Sequence, residues 1–229
     1  MMSALNELVD YALWSELVQH LERRKRTVGY RRPIVDLKMH YIVTDTKKYP
    51  KIVKRSGIRN AHSLTANFLS LLGYGWLGYS QTYRGIFNAN GSSYAGTNAT
   101  YGIVVGTGSQ AKSVLLRDLQ NPISPSSTGL SCGTESYLGP VVINNNTSAV
   151  LREIRSFVNN GTTSISLSEI GIYGNTNYSG ALISGFNPWA TSSKFGDDHV
   201  LLAYDLLFPP VVIQPSQTVT FEYDWIVNV

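Results

Sequence analysis

The C-terminal segment TVTFEYDWIVNV, residues 218–229, constrains the fold more than any other part of the chain. One set of positions is apolar and the intervening set is mostly polar: Val219, Phe221, Tyr223, Trp225 and Val227 alternate with Thr220, Glu222, Asp224, Ile226 and Asn228. Because successive side chains of a β-strand point to opposite faces, this period of two predicts a strand. Its sheet needs other apolar side chains to cover one face.

Other stretches of the chain also have the composition of strands, and turn signals separate them. The candidates are residues 35–43, 101–105, 140–144, 149–158, 163–174 and 199–208. Only 15% of the residues are charged, and glycine and tyrosine are abundant, which is typical of β-rich proteins with many turns. We therefore expect a mainly β fold, an antiparallel β-sandwich of jelly-roll-like form, in residues 60–229.

Three local signals refine this expectation. Asn160-Gly161 is typical of a type I′ turn and predicts a hairpin that pairs residues 149–158 with residues 163–174. Within the second strand, Ile165 and Leu167 mark one face while Ile170 and Ile172 mark the other, which predicts a bulge near Ser168-Glu169. The prolines at 209, 210 and 215 predict a turn region after residue 208.

The N-terminal quarter differs from the rest in charge and pattern. Apolar residues at spacings of three and four predict an amphipathic helix over residues 4–26. Residues 1–60 hold 13 Lys and Arg against 6 Asp and Glu, a net charge of +7, whereas residues 61–229 hold 6 against 9, a net charge of −3. We expect residues 1–59 to be a helical, basic arm attached to the β body. Its proposed contact residues are Arg23, Arg24, Lys25, Arg26, Arg31 and Arg32.

Three interpretations of these basic residues are open at this point. They can neutralise the phosphates of a nucleic acid without reading its sequence. They can be a solvated helix end, where cations complement the helix dipole. They can also dock the arm onto an acidic neighbouring subunit.

The stretch GIVVGTGSQA, residues 102–111, matches the pattern G-x-G-x-x-A of dinucleotide-binding turns. That reading requires a β-α-β unit and an acidic residue about 20 positions further on, to hold the ribose. Residues 121–133 contain no acid, and hairpin signals follow instead of alternating helices. We therefore predict a tight glycine turn after a strand, in which Gly106 and Gly108 provide backbone freedom.

No other motif indicates catalysis or metal binding. Asp197, Asp198 and His199 form the best metal candidate, but adjacent residues in an extended chain point apart, so we interpret them as turn residues. Glu153, Glu169 and Glu222 fall in predicted strands, where we expect them to face solvent, although an acid pair assembled in space remains open. The single cysteine excludes an internal disulfide and multi-cysteine zinc sites. The sequence thus predicts no enzyme and no cofactor.

The apolar stretch LTANFLSLLGYGWLGY, residues 64–79, is short for a membrane span and is interrupted by three glycines. We expect it to be a helix covered by the body or by a neighbouring subunit. No membrane span is predicted.

The order of C-terminal segments resembles that of virion proteins of tailed phages and archaeal viruses. The similar segments are SISLSEIGIYG, then HVLLAYDLLFPPVVIQPSQTVTFEYDWIVNV, and before them FLSLLGYGWL, YGIVVGTG and NPI. The resemblance covers roughly residues 60–229 and not the N-terminal arm. It implies a β-sandwich that serves as a building block in rings or spikes, and it implies no catalytic residue.

From these features we expect a virion structural protein: a homo-oligomeric tail, vertex or adaptor component whose arm contacts other virion proteins. One alternative is a capsid protein whose residues 1–59 bind the packaged nucleic acid. Another is a receptor- or carbohydrate-binding module with Trp189 as an exposed contact residue.

Overall fold

The structure is a computed structural model, and it describes fourteen stretches of the chain. These are residues 35–45, 51–57, 59–60, 64–65, 68, 100–113, 115–126, 128–133, 135–143, 148–175, 177–178, 181–182, 192–195 and 199–228. The predicted helix over 4–26, the six basic contact residues, Trp189 and most of the apolar stretch 64–79 lie outside the described residues.

Twelve strands account for most of the described chain. In order they are β1 Val35–Asp45, β2 Lys51–Arg55, β3 Arg59–Asn60, β4 Gly102–Gly106, β5 Leu130–Cys132, β6 Ser136–Ile143, β7 Ser148–Asn159, β8 Ile165–Asn175, β9 Asn177–Tyr178, β10 Ala181–Leu182, β11 His199–Ile213 and β12 Gln217–Asn228. All strand pairings are antiparallel. The predicted mainly β, antiparallel fold is confirmed.

Seven strands form the large sheet. Its central strands run in the order β1–β12–β7; β2 and β3 pair with the free side of β1, and β5 and β6 pair with the free side of β7. The small sheet has three strands in the order β11–β8–β4, and β9 and β10 form a separate two-stranded ladder.

The predicted alternation of the C-terminal strand is confirmed in β12. Val219, Phe221, Tyr223 and Trp225 are buried in the main hydrophobic core. Their cross-strand partners in β1 are Val43, Tyr41, Met39 and Leu37, which lie in the same core. Val227 departs from the pattern, with 46% of its surface exposed. One period-two strand therefore pairs with another, and together they contribute eight of the 22 buried side chains of this core.

The small sheet contributes eleven of the 22. Ile103 and Val105 of β4, Ile170 and Ile172 of β8, and Val211 of β11 belong to the same cluster of buried side chains as the residues of β1 and β12. The two sheets thus share one core, which lies between them.

The predicted hairpin at Asn160-Gly161 is wrong. β7 pairs with β12, β5 and β6, whereas β8 pairs with β11 and β4, so the turn carries the chain from the large sheet to the small one. Among the described residues only Gly102 and Ser216 have positive φ, so the turn is not type I′ either. The apolar residues of both strands face the common core, and burying them there outweighs the local turn preference.

The register does shift near Ser168-Glu169 as predicted, but the extra residues lie on β11 and not on β8. Leu167, Ile170 and Ile172 all face the core, and the β8–β11 register shifts between Leu206 and Val211, opposite Ser168. The extra residues lie on β11, which continues through Pro209 and Pro210 with a cis Phe208-Pro209 peptide. The turn predicted to begin after residue 208 instead begins after Ile213.

Residues 35–55 lie within the predicted arm, yet β1 pairs with β12 over its full length and β2 extends the same sheet. The sheet therefore begins well before residue 60. No helix in the described part of the chain has the length and apolarity needed to cross a membrane.

Candidate functional site

The expectation that Glu153, Glu169 and Glu222 face solvent is wrong, because all three are fully buried. A carboxylate is costly to bury unless donors or counter-charges compensate it. Their surroundings define three clusters. The glycine-turn cluster surrounds Glu169, the inter-sheet cluster contains Glu135, Glu153 and Arg155, and the outer-face cluster contains His40, Arg152, Glu222 and Asp224.

The glycine-turn cluster explains the motif G-x-G-x-x-A. Glu169 extends from β8, and its Oε1 accepts hydrogen bonds from the Gly108 amide at 2.9 Å and the Asn121 amide at 2.7 Å. Its Oε2 accepts from the Gln120 amide at 2.9 Å. The amides that resemble a phosphate cradle in sequence therefore bind a carboxylate of the same chain.

The glycines of this turn are required for a reason other than the predicted one. The predicted turn does follow β4, but neither Gly106 nor Gly108 has positive φ. A Cβ atom on either residue would lie 2.5 Å from Glu169 Oε1. These positions need glycine because the carboxylate comes close to the backbone, and not because the backbone needs unusual freedom.

Other polar side chains tie residues 107–123 to the small sheet. The Leu119 amide donates to the Tyr173 hydroxyl at 2.7 Å, and the Tyr204 hydroxyl donates to the Gln110 carbonyl at 2.9 Å. Burial raises the pKa of both tyrosines. Asp118, in the same segment, accepts hydrogen bonds from the hydroxyl groups of Ser192 and Ser193 and from the Ser193 amide.

A shallow groove of about 360 Å³ runs beside this segment, lined by residues 115–120, Gln110, Ser193 and Lys194. Its buried carboxylate, Asp118, already accepts the serine hydrogen bonds. The cations that line the groove are Arg117 and Lys194. The buried acid that lines it, Asp118, bonds residues 192–193 to residues 115–120.

The inter-sheet cluster joins β7 of the large sheet to β4 of the small sheet. Arg155 donates from Nη1 to the carbonyl oxygens of Tyr101 at 2.5 Å and Ile103 at 3.1 Å. Glu135 accepts from the Ile103 amide at 2.7 Å. Gly102, between them, has a φ of 68°, and a Cβ there would overlap the Glu135 carboxyl group.

Glu153 completes this cluster. Its Oε2 accepts from the Trp225 indole at 3.2 Å, and the charge of the Glu135 carboxyl group acts on it. Burial raises the pKa of Glu153 well above its usual range, and the negative charge of Glu135 raises it further, while Trp225 and Arg155 oppose the shift. This is an acid pair assembled in space from residues 18 positions apart in the chain.

A further buried acid, Asp205, lies beside Tyr223 of the core. Asp205 of β11 accepts from the Tyr223 hydroxyl at 3.3 Å and from Lys112 Nζ at 2.9 Å. Burial raises the pKa of Tyr223, and the charges of Asp205 and Glu153 add to the effect. The pKa of Tyr223 is thus raised both by Asp205 and by Glu153.

The outer-face cluster lies on the side of the large sheet away from the core. His40 Nε2 and Glu222 Oε1 are 2.6 Å apart, and Arg152 donates to the two oxygens of Asp224 at 2.7 and 3.2 Å. Arg152 also forms an ion pair with Glu222. Burial raises the pKa of Asp224, while Arg152 lowers it.

His40, Glu222 and Asp224 have ligand atoms within 4.8 Å of one another, the spacing of a metal site. However, the guanidinium of Arg152 contacts both carboxylates and already supplies the positive charge that a cation would bring. We therefore interpret this cluster as an ion-pair network within the sheet.

The predicted metal candidate is described only in part, since Asp197 and Asp198 lie outside the described residues. His199 is buried, its ring stacks on Tyr101 with centroids 3.9 Å apart, and its Nε2 lies 2.9 Å from Thr100 Oγ1. Of the basic residues in the predicted arm, the side chains of Lys38, Lys51, Lys54 and Arg55 are described. Lys38 is buried and forms an ion pair with Asp36, whereas the other three are exposed on the edge strand β2.

Comparison of the chain with protein-family models, with curated proteins and with solved structures found no match.

Proposed function

We propose that the chain is a non-enzymatic structural protein of a virion, whose two sheets form a jelly-roll-like β-sandwich. It acts as a homo-oligomeric tail, vertex or adaptor component and contacts other virion proteins through its N-terminal segment. The observation that carries the proposal is that the charged side chains of the three clusters are directed at the protein's own backbone and at one another. Such groups fix a turn to the small sheet, one sheet to the other, and strands of the large sheet to one another, as a rigid building block requires.

The surface supports the same interpretation. Three large apolar side chains are exposed on one strand, β6: Leu138 is 46% exposed, Val141 is 39% exposed and Val142 is 59% exposed. Exposed aromatic and aliphatic side chains are typical of surfaces that subunits bury against one another.

The test is whether purified virions contain this chain at the copy number of a ring or shell. Mass spectrometry that finds it in stoichiometric amounts supports the proposal, and its absence from the particles would exclude it. In solution, the full chain should form one discrete oligomer. The oligomer should dissociate when Arg23, Arg24, Lys25 and Arg26 are all replaced by glutamine, while the β body remains folded.

The second candidate is a capsid protein that binds the packaged genome, and the exposed Lys51, Lys54 and Arg55 favour it. Three cations on five residues of an edge strand can contact successive phosphates. Cations on an edge strand also prevent unwanted strand pairing, which is their role under the first proposal. Affinity for duplex DNA that falls steeply with salt, and is lost in the triple glutamine variant of these residues, would favour the genome-binding role.

A further inference from the structure

The two edges of the large sheet differ in charge. β2 lies at one edge and carries three exposed cations, Lys51, Lys54 and Arg55. β6 lies at the opposite edge, where among the described residues it pairs only with β7. Its sequence, SYLGPVVI, contains no charged residue. Charges on an edge strand prevent pairing with another chain, so β2 is protected in this way and β6 is not.

A bulge in β6 places two of its exposed apolar side chains on the same face of the sheet. Leu138 lies opposite Arg152 of the outer-face cluster. Val141 lies opposite Val150, which is two positions from Arg152 on β7 and therefore on the same face. In a regular strand, residues three positions apart would face opposite ways. The register shift between Leu138 and Val141 gives them a common face.

This bulge makes the edge complementary to itself. If two copies of β6 pair antiparallel about the midpoint between Gly139 and Pro140, Leu138 of each copy lies opposite Val141 of the other. Both side chains are then on the same face of the joined sheet, as cross-strand partners must be. Pro140, which has no amide hydrogen, lies at the centre of the pairing and interrupts neither half. A two-fold axis relates such copies, and this is the commonest symmetry of homo-oligomers.

Charge and burial both favour a second copy of β6 as the partner of this edge. Two β2 edges would bring their cations together, and β2 beside β6 would place cations next to exposed apolar side chains with no counter-charge. β6 beside β6 joins uncharged residues. On the other face, Val142 continues an apolar row through its neighbours Ala149 and Val227, and Val227 is also exposed.

We propose that β6 is a contact between two copies of this chain, whose large sheets join through antiparallel β6–β6 pairing. The inference deepens the proposed homo-oligomer and rests on that part of the proposed function. The β6 contact is separate from the contact made by the N-terminal segment, so each can be removed without the other.

The experiment measures the mass of the full chain in solution by light scattering. It uses an arm variant in which four basic residues are replaced by glutamine: Arg23, Arg24, Lys25 and Arg26. This variant should be a dimer held by β6. Adding Val141→Lys should halve the measured mass, because the lysine lies opposite Leu138 of the other copy. Leu138→Lys should do the same, and it is the second variant if the first does not fold. Val53→Lys, at a similarly exposed valine of β2, is the matched control and should leave the dimer intact.

The outcomes separate this inference from the proposed function. A dimer that persists in folded Val141→Lys and Leu138→Lys would overturn the β6 contact and leave the proposed function standing. An arm variant that is monomeric, from a wild type that is oligomeric, would do the same. A monomeric wild type would overturn both.

Cross-linking tests the register of the pairing in a Cys132→Ser background. Copies with Leu138→Cys and copies with Val141→Cys should form an intermolecular disulfide when mixed and oxidised, because cross-strand partners lie within disulfide reach. Either variant alone should not, since identical positions are at least about 10 Å apart in this register. Cross-linking of each variant with itself, and not with the other, would overturn the proposed pairing.

Discussion

The glycine-turn cluster and the inter-sheet cluster each bury a glutamate completely, but the two glutamates differ in what surrounds them. Glu169 accepts three hydrogen bonds from backbone amides, which are the partners that an ionised carboxylate needs. Glu153 accepts one hydrogen bond from the Trp225 indole, and burial together with the charge of Glu135 raises its pKa. The same residue type therefore binds backbone amides of a loop in one place and lies between the two sheets, beside a second carboxyl group, in another.

The largest effect is expected at Arg155, which holds the inter-sheet cluster together. Arg155→Leu leaves the carbonyl groups of Tyr101 and Ile103 without their donor and the acid pair without its positive charge. We expect the free energy of unfolding to fall by about 4 kcal/mol, measured by urea denaturation. Arg117→Leu, at an exposed arginine, is the control and should change it by less than about 0.5 kcal/mol. Equal effects of the two substitutions would show that the cluster contributes nothing specific.

Replacing Glu169 and Glu153 each by glutamine should change the free energy of unfolding by different amounts. Glu169→Gln replaces one acceptor oxygen with an NH₂ group that faces a backbone amide donor. We expect a loss of about 3 kcal/mol in the free energy of unfolding. Glu153→Gln at neutral pH should be neutral or stabilising, since burial and the charge of Glu135 already disfavour a negative charge at this position. Similar losses in the two variants would contradict the distinction between them.

Substituting the glycines tests the close approach of Glu169 to the turn. Gly108→Ala puts a Cβ 2.5 Å from both Glu169 Oε1 and the Gln120 Cβ, and we expect a loss of about 2 kcal/mol. Gly57→Ala is the control, because a Cβ at that position has no heavy atom within 4 Å. If Gly108→Ala is tolerated as well as Gly57→Ala in thermal unfolding, the carboxylate does not lie against the turn.

The smallest expected effect is a dependence of the free energy of unfolding on pH. Because the pKa of Glu153 is raised in the folded state, the folded protein binds a proton that the unfolded chain has lost. Stability should therefore be highest near the ordinary pKa of a glutamate and fall as pH rises towards the raised value, by up to about 1.4 kcal/mol per pH unit. Urea denaturation at several pH values should show a shallower slope in Glu153→Gln. Identical slopes in the two proteins would rule out Glu153 as the titrating group.

The sequence predicts the parts of the fold that depend on local periodicity. The alternation in β12 predicts its core face, and the phase change near Ser168 predicts the place where the β8–β11 register shifts, though not that the extra residues lie on β11. The turn at Asn160-Gly161 shows what local sequence cannot predict. Its signal indicates a turn, but it does not indicate which strands β7 and β8 will pair with. That choice depends on burying apolar residues from both sheets in one core.

The clusters could not be predicted from sequence patterns. An isolated acid in a strand is usually exposed, and the groups that compensate Glu169 lie 48 to 61 positions away in the chain. The one usable signal was the pair of glycines at 106 and 108. The motif predicts flexible residues at these positions, whereas the structure places the Glu169 carboxyl group against them.

The amides of the glycine turn bind Glu169 and are not available to a nucleotide. Amide exchange of Gly108, Gln120 and Asn121 measured by NMR, with and without a nicotinamide dinucleotide, tests this most directly. We predict slow exchange without the nucleotide, no change when it is added, and fast exchange in Glu169→Ala. Fast exchange in the wild type that slows when the dinucleotide is added would contradict the claim.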